Sequence, residues 1–465
     1  MKNYFFLIPP PRMLRRASFI LLLFSIPSCK EDTPVIPPPP QPKITLTVDD
    51  VSCTEAWLNL KLENITLPVD LELKKDSTVV KTFLAINSND TSLYVDSLLP
   101  NQTYNFVVSH SGLSGISSNV ATTITMDTTS HNFTWQTFEF GQHSSSILYD
   151  VAIIDENNIW AVGEIFMNDS LGNPDPHAYN AVHWNGNQWE VKKISVLFRG
   201  NLITPPLYGI FALTDNEIWL SSGVPIKGDG INWTQYHLFD TGILTQQDGY
   251  LTKIWGSSSS NIYFVGTLGT IAHYNGSQWT KIESGITLDL TDIYSDAGGN
   301  VYAAGVNIAE VKGVVLEGNS NQFSVKITGE IIDESELFIS KLYGSFGTIW
   351  VDENGTIYTG GNLMYQFNNN HWDYVRSLPE NFLGGNPGSY YRGYISTIRG
   401  NASNDIVIAG GRNTLKHFNG ISWQQLGLPY SPSSVIRWAG LSMKDNKLVA
   451  AGGNGNKAFV MLLLR

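Results

Sequence analysis

Residues 251–279 read LTKIWGSSSSNIYFVGTLGTIAHYNGSQW. Leu251-Thr252-Lys253-Ile254 opens this unit as a short strand. Ile262-Tyr263-Phe264-Val265-Gly266 follows as a second and ends on a small-residue step. His273-Tyr274 then leads into Asn275-Gly276, with Trp279 three residues past the glycine. Asn-Gly supplies the positive φ angles that a tight hairpin turn requires. Trp279 therefore begins a further, outer strand. Short β-rich runs bounded by Gly, Asn and Ser read as strands.

The same grammar recurs. The second-strand step reappears as Ile159-Trp160-Ala161-Val162-Gly163, Ile218-Trp219-Leu220-Ser221-Ser222-Gly223 and Val301-Tyr302-Ala303-Ala304-Gly305. It returns as Ile357-Tyr358-Thr359-Gly360-Gly361, Ile406-Val407-Ile408-Ala409-Gly410 and Leu448-Val449-Ala450-Ala451-Gly452, which makes seven copies. From Trp160 to Val449 the spacings are 59, 44, 39, 56, 49 and 42 residues. The Asn-Gly turn and its Trp recur at Asn185-Gly186 with Trp189 and at Asn419-Gly420 with Trp423, and more loosely at Gly230 with Trp233 and Asn369 with Trp372. Four short strands at a period of ~40–50 residues are the mark of propeller blades. The seventh unit ends at its third strand, Phe459–Leu464, whereas Asn132–Phe138 looks like a fourth strand without a blade. Pairing the two closes the ring and removes the exposed sheet edges of an open array. The fold expected for residues 131–465 is thus a seven-bladed β-propeller closed by an N-terminal strand.

The stretch 254–279 resembles the galactose-oxidase/kelch-like or WD-like repeats of exported bacterial propellers. Asp352-Glu353-Asn354-Gly355-Thr356-Ile357-Tyr358 is similar to the propeller repeat of periplasmic two-component sensors. Both resemblances imply a fold and leave function open.

Residues 43–127 alternate apolar and polar side chains in Ile44–Val48, Trp57–Leu62 and Val69–Leu73, which marks strands with one buried face. Leu98-Leu99-Pro100-Asn101-Gln102-Thr103-Tyr104-Asn105-Phe106 resembles the fibronectin type III pattern. That resemblance implies an all-β sandwich in which Tyr104 bonds back to the preceding turn. The single Trp of this segment, Trp57, comes earlier than the family's core Trp.

At the N-terminus, Arg15-Arg16, an apolar run from Ala17 to Ile26 and Ile26-Pro27-Ser28-Cys29 have the layout of a signal peptide over residues 1–28. Met13 is an alternative start to Met1. Serine followed by Cys29 resembles a lipobox, which implies an acylated Cys29 and an outer-membrane anchor. Lys30-Glu31-Asp32 resembles the export tag of Bacteroidetes surface lipoproteins and implies display on the cell surface. Residues 29–42 include Thr33–Pro42, TPVIPPPPQP, an extended spacer. Loss of Lys2, Arg12, Arg15 and Arg16 with the leader takes the net charge from −12 to −16. So acidic a chain lacks the basic footprint of a nucleic-acid binder. Of two cysteines, Cys53 has no partner once Cys29 carries lipid, and it reads as a small buried side chain.

The search for chemistry returns little. His183, His273 and His417 occupy one repeat slot on different blades and do not converge on a metal. Trp160 with Trp219, and Trp189, Trp233, Trp279, Trp372 and Trp423, fill two further slots and read as packing between blades. The Asp352–Gly355 segment reads as a turn in preference to a calcium loop. There is no Gly-x-Ser-x-Gly elbow. No metal or cofactor is expected, and no catalytic residue is nominated.

Loop lengths are more informative. First-to-second and third-to-fourth connections are short and share one face of the ring. The long segments 164–178, 192–206, 239–250, 329–341 and 377–392 share the other. Function concentrates on variable loops carried by a rigid scaffold. Tyr390, Tyr391, Arg392 and Tyr394 form the candidate binding loop, since Tyr and Arg are enriched at contact hot spots. The expectation is a non-catalytic envelope lipoprotein that binds a glycan or protein on that face. The alternatives are a polysaccharide hydrolase or lyase, whose paired carboxylates the sequence does not single out, and an outer-membrane docking or assembly protein.

Overall fold

The computed structural model describes residues 40–112, 115–143, 145–332, 341–379, 394–427 and 435–465. Contacts divide the chain into Met1–Gln41 and one compact unit, Pro42–Arg465, which holds every strand. The Cys29–Asp32 segment lies outside the described residues.

The first seven strands build two sheets. Lys43–Val51, Ala56–Glu63 and Asp90–Val95 form one, and Thr78–Ile86, Val69–Lys75, Thr103–His110 and Ala121–Ile124 form the other. Their alternating apolar side chains meet in a single core that includes Leu46, Leu58, Leu60, Leu71, Leu73 and Phe106. The Tyr104 hydroxyl accepts a hydrogen bond from the Leu99 backbone N–H at 2.9 Å. Trp57 is not in that core. Its neighbours Ala56 and Leu58 point inward, so period-2 alternation turns the indole outward.

Seven further sheets follow, and none closes on itself. Their first strands are Ile147–Asp155, Gly209–Thr214, Leu251–Ser258, Asp289–Ser295, Phe346–Val351, Ile395–Ala402 and Arg437–Lys444. Each touches the next in chain order, and the last touches the first, so they line a central channel. The fourth strand of the seventh blade is Thr134–Phe140, paired antiparallel with Ala458–Leu464 from Thr134 opposite Leu464 to Phe140 opposite Ala458. The fourth blade departs from the four-strand expectation: Lys341–Tyr343 adds in parallel outside Phe323–Glu330. The connection into the second blade also folds its own hairpin, Val196–Phe198 with Asn201–Ile203.

The small-residue step of the repeat has a steric cause. In six blades the first strand carries a one-residue bulge near its start. That bulge presses a carbonyl against the end of the second strand. A Cβ on Gly266 would stand 1.8 Å from the Tyr250 carbonyl oxygen, and one on Gly410 would stand 2.1 Å from that of Tyr394. Only glycine admits such an approach.

The repeated histidines are structural. His183 and His273 bond through Nε2 to Asn158 and Asn261 at 3.0 and 2.9 Å, and His417 bonds to Asp405 at 2.8 Å. In each case a third-strand imidazole holds the residue that starts the second strand. Asp352 closes a turn: its Oδ1 accepts the N–H groups of Asn354 and Thr356 at 3.0 and 2.8 Å, with Gly355 at φ +84°.

Candidate functional site: the mouth of the central channel

The two ends of the ring are unlike. All first-to-second connections and the six third-to-fourth turns within blades are short and lie at one end. The sandwich is attached there. Asn368 Nδ2 donates to Asp50 at 3.4 Å, Asn404 Nδ2 donates to the Asp127 carbonyl at 2.7 Å, and Thr129 Oγ1 donates to the Asn404 carbonyl at 2.7 Å. Gly420, at φ +93°, lies so close to Cys53 that a Cβ would meet Sγ at 2.1 Å. Cys53 is fully buried, with Sγ 3.1 Å from the Asp127 carbonyl oxygen. The other end carries the long connections.

Inside the channel, charge is paired. Asp150 on the first blade meets Lys253 on the third at 2.7 Å, and Asp292 on the fourth meets Arg399 on the sixth at 2.8 Å. Each pair skips a blade, so it reaches across the channel. Asp292 also accepts from the Thr348 hydroxyl at 2.7 Å and the Ile349 N–H at 3.0 Å, and Asp150 accepts from the Ile210 N–H at 3.1 Å. Burial opposes the Asp292 charge, but Arg399 and Lys253 outweigh it and hold the carboxyl below the usual range. Such closed networks tie blades together.

At the long-loop end the channel opens into a rim of aromatic side chains. Tyr149 and Tyr208 sit at the starts of adjacent first strands with ring centroids 5.6 Å apart. The Tyr149 hydroxyl donates to Glu164 at 3.3 Å, and burial, with that carboxylate beside it, pushes the phenol up to about 12. Tyr250 stands near Tyr208 and is 67% exposed. Arg437 is exposed and lies close enough to Tyr149 and Tyr394 for its charge to act on both hydroxyls. The carbonyls of Tyr250, Tyr394 and Arg437 are the ones that press on Gly266, Gly410 and Gly452. The repeat's glycines therefore allow the bulges at whose edges the rim side chains stand. Around this rim the connections expose Leu171, Leu197, Leu202, Leu268, Ile308 and Ile331.

Of the loop nominated from sequence, Tyr390, Tyr391 and Arg392 lie outside the described residues. Tyr394 is half-buried at the mouth, 3.5 Å from the Ser345 hydroxyl. Sequence reading missed Tyr149, Tyr208, Tyr250, Glu164 and Arg437. Their signal was available: they occupy the first-strand starts and a second-strand end, whose long-loop side had been marked. Trp423 packs against the cluster shared by the fifth and sixth blades, as its repeat slot implies, and also lines a cavity beside the sandwich.

No protein-family model and no curated protein matches the chain. Among solved structures it is similar to one described as YCF48 bound to D1 peptide, with TM-score 0.50 and 13% identity over 73% of this chain and 97% of that one. YCF48 from Cyanidioschyzon merolae gives TM-score 0.47 and 13% identity over 71% and 98% of the two chains. The WD40 β-propeller domain of Doa1 gives 0.47 and 12% over 72% and 98%. Identities this low speak for the fold alone, and that fold is the β-propeller.

Proposed function

We propose that this chain is a non-catalytic binding propeller whose long-loop mouth holds a segment of polypeptide. The observation that carries the reading is the rim itself: Tyr149 beside Tyr208, Tyr250 near Tyr208, and Arg437 near Tyr149 and Tyr394, with exposed Leu and Ile in connections of the same face. Tyr and Arg are the side chains that dominate protein contacts. Exposed aliphatic side chains beside them favour a polypeptide over a glycan, whose polar rings stack on aromatics. That a propeller of this fold has been solved with a peptide bound is consistent with the scaffold serving this use. The sandwich attaches at the opposite end and so does not cover the mouth.

In this reading Cys29 is acylated, Lys30-Glu31-Asp32 directs the protein to the cell surface, and the outer membrane is its anchor. The sandwich of residues 43–127, a fibronectin type III-like module, acts as a spacer. The two-sheet arrangement and the Tyr104 bond support that module assignment. Replacing Cys29 by Ser should release the protein from the membrane fraction, and unchanged fractionation would refute the anchor.

The binding claim is tested by selecting peptides from a displayed library on the purified chain. Selected peptides should lose at least tenfold in affinity with Tyr250→Ala or Arg437→Ala, and none with Ile231→Asp on the short-loop face. Binders indifferent to the rim, or a glycan array whose hits need Tyr250 while no peptide binds, would overturn the polypeptide assignment.

A further inference from the structure

A cavity of about 580 Å³ lies between the sandwich and the fifth and sixth blades, away from the mouth. Its volume is that of a small-ligand site. One wall is Trp57 and Tyr94 of the sandwich, whose rings stand 5.6 Å apart. The opposite wall includes Phe418 and Trp423 of the sixth blade, stacked at 5.1 Å. The Trp423 Nε1–H is fixed by the Ser377 hydroxyl at 3.2 Å, which sets the angle of the indole face.

Five carboxylates line the same space: Asp50, Glu55 and Asp96 from the sandwich, and Asp352 and Asp373 from the propeller. Against them stand His371 and one guanidinium, Arg376, which Asp373 already holds at 2.9 Å. Glu55 is oriented by the Tyr94 hydroxyl at 2.5 Å. Asp352 is 5% exposed. Glu55 and Asp373 are thus held in place, and among the described residues that line the cavity carboxylates outnumber cationic side chains. Burial raises Asp50 and Glu55 and pushes Asp352 up to about 7, helped by the carboxylates of Asp49 and Glu353 beside Asp50, Asp96 and Asp373 beside Glu55, and Glu353 and Asp50 beside Asp352.

A metal ion would need several ligands converging on one point. Among the described residues, no group of three His, Cys, Asp or Glu side chains is placed to hold one. Here the acids come from both the sandwich and the propeller, and aromatic side chains line the same cavity. That arrangement matches a cation that is extended and partly apolar, drawn to ring faces as well as to carboxylates.

We infer that the cavity between the sandwich and the fifth and sixth blades binds an organic amine, an ammonium carried on a flexible alkyl chain. The shared chemistry covers a free polyamine and a lysine side chain of a peptide. Such a ligand neutralises facing acids of both parts and so clamps the sandwich to the ring.

Calorimetric titration of the full chain at pH 8 tests this, with 1,6-diaminohexane as the probe and 1,6-hexanediol as its neutral match. The diamine should bind one to one and the diol should not. Glu55→Gln should weaken the diamine at least tenfold. Asp96→Asn, at an exposed position, should weaken it several-fold while the unfolding temperature stays unchanged. A lysine-containing tripeptide that binds more tightly than the diamine assigns the source to polypeptide, and weaker binding assigns it to free amines. Equal binding of diol and diamine, absence of saturable heat, or stoichiometric displacement of the diamine by calcium would each overturn the inference.

Discussion

In the central channel, Asp150 and Asp292 each face a cation two blades along the ring. In the cleft beside the sandwich, Asp50, Glu55 and Asp352 each have other carboxylates as neighbours. Both groups are acidic side chains on or beside β-strands, and both are largely withdrawn from water. The channel network holds Asp292 low, and the cleft drives Asp352 up. A buried charge is costly unless paired. The channel meets that cost within the chain and becomes scaffold, whereas the cleft leaves part of it to be met from outside.

The contrast is broken most severely by removing one channel partner. Arg399→Ala strands Asp292, which is 3% exposed on its side chain, without its cation. The expected loss is about 3–5 kcal/mol in chemical denaturation. A double change of Arg399→Met with Asp292→Leu should recover most of it, since a buried pair is often replaced by apolar side chains at little cost. A loss under about 1 kcal/mol for Arg399→Ala would mean that the channel charges are solvated and the contrast is false.

Next in size is the steric step. Gly410→Ala places a methyl 2.1 Å from the Tyr394 carbonyl oxygen and should cost about 1–3 kcal/mol. It should also weaken rim-dependent peptides, because the strand must move where Tyr394 begins.

The cleft is sharpened by pH. Asp352 has a folded value near 7 against an ordinary 3.8, so the folded chain holds a proton that the unfolded chain releases. Its contribution is present below about pH 4 and is lost as pH rises to 7. Asp352→Asn should therefore raise stability by about 1 kcal/mol at pH 8, seen as a raised melting temperature, and change little at pH 4. Asp292 has the opposite sign: its value is depressed, so its contribution is lost as pH falls. A melting temperature for Asp352→Asn that tracks the parent at every pH would contradict the crowded-acid reading.

The smallest expected effect on stability is at the rim. Tyr250→Ala removes a side chain that is 67% exposed and should change stability by less than about 0.5 kcal/mol. Its effect should fall on binding alone.

The ring was legible because it repeats. The second-strand step is written seven times and the turn with its Trp five times, so Ile-Tyr-Phe-Val-Gly and Asn-Gly-x-x-Trp identify second strands and turns even where one copy drifts. The strand at Thr134–Phe140 was legible because its partner, Ala458–Leu464, had no outer neighbour. What repetition does not encode was hidden. Asp150 and Lys253 are 103 positions apart and on blades that are not neighbours in the ring, so no local pattern pairs them. The parallel strand Lys341–Tyr343 is three residues long and occurs once. The sandwich strands Thr78–Ile86 and Asp90–Val95 were missed because the first is largely exposed and lacks a clean alternation. Trp57 and Trp423 gave no sign that they face one cavity, since that depends on how the sandwich seats against Gly420. At the mouth, sequence nominated the long-loop face and a loop of which Tyr394 alone lies among the described residues. The remaining rim residues stand at strand starts, where single-sequence patterns end.

The central claim is that the long-loop mouth is where a partner sits. It is tested most directly by placing a photo-crosslinking amino acid at Tyr250 and, separately, at Ile231, which is 84% exposed in a short-loop turn. Both variants are illuminated in intact cells that display the full chain. A discrete protein adduct at position 250, lost when Arg437→Glu is added and absent at position 231, is the predicted result. Adducts at 231 with none at 250, or adducts at 250 indifferent to Arg437, would contradict it.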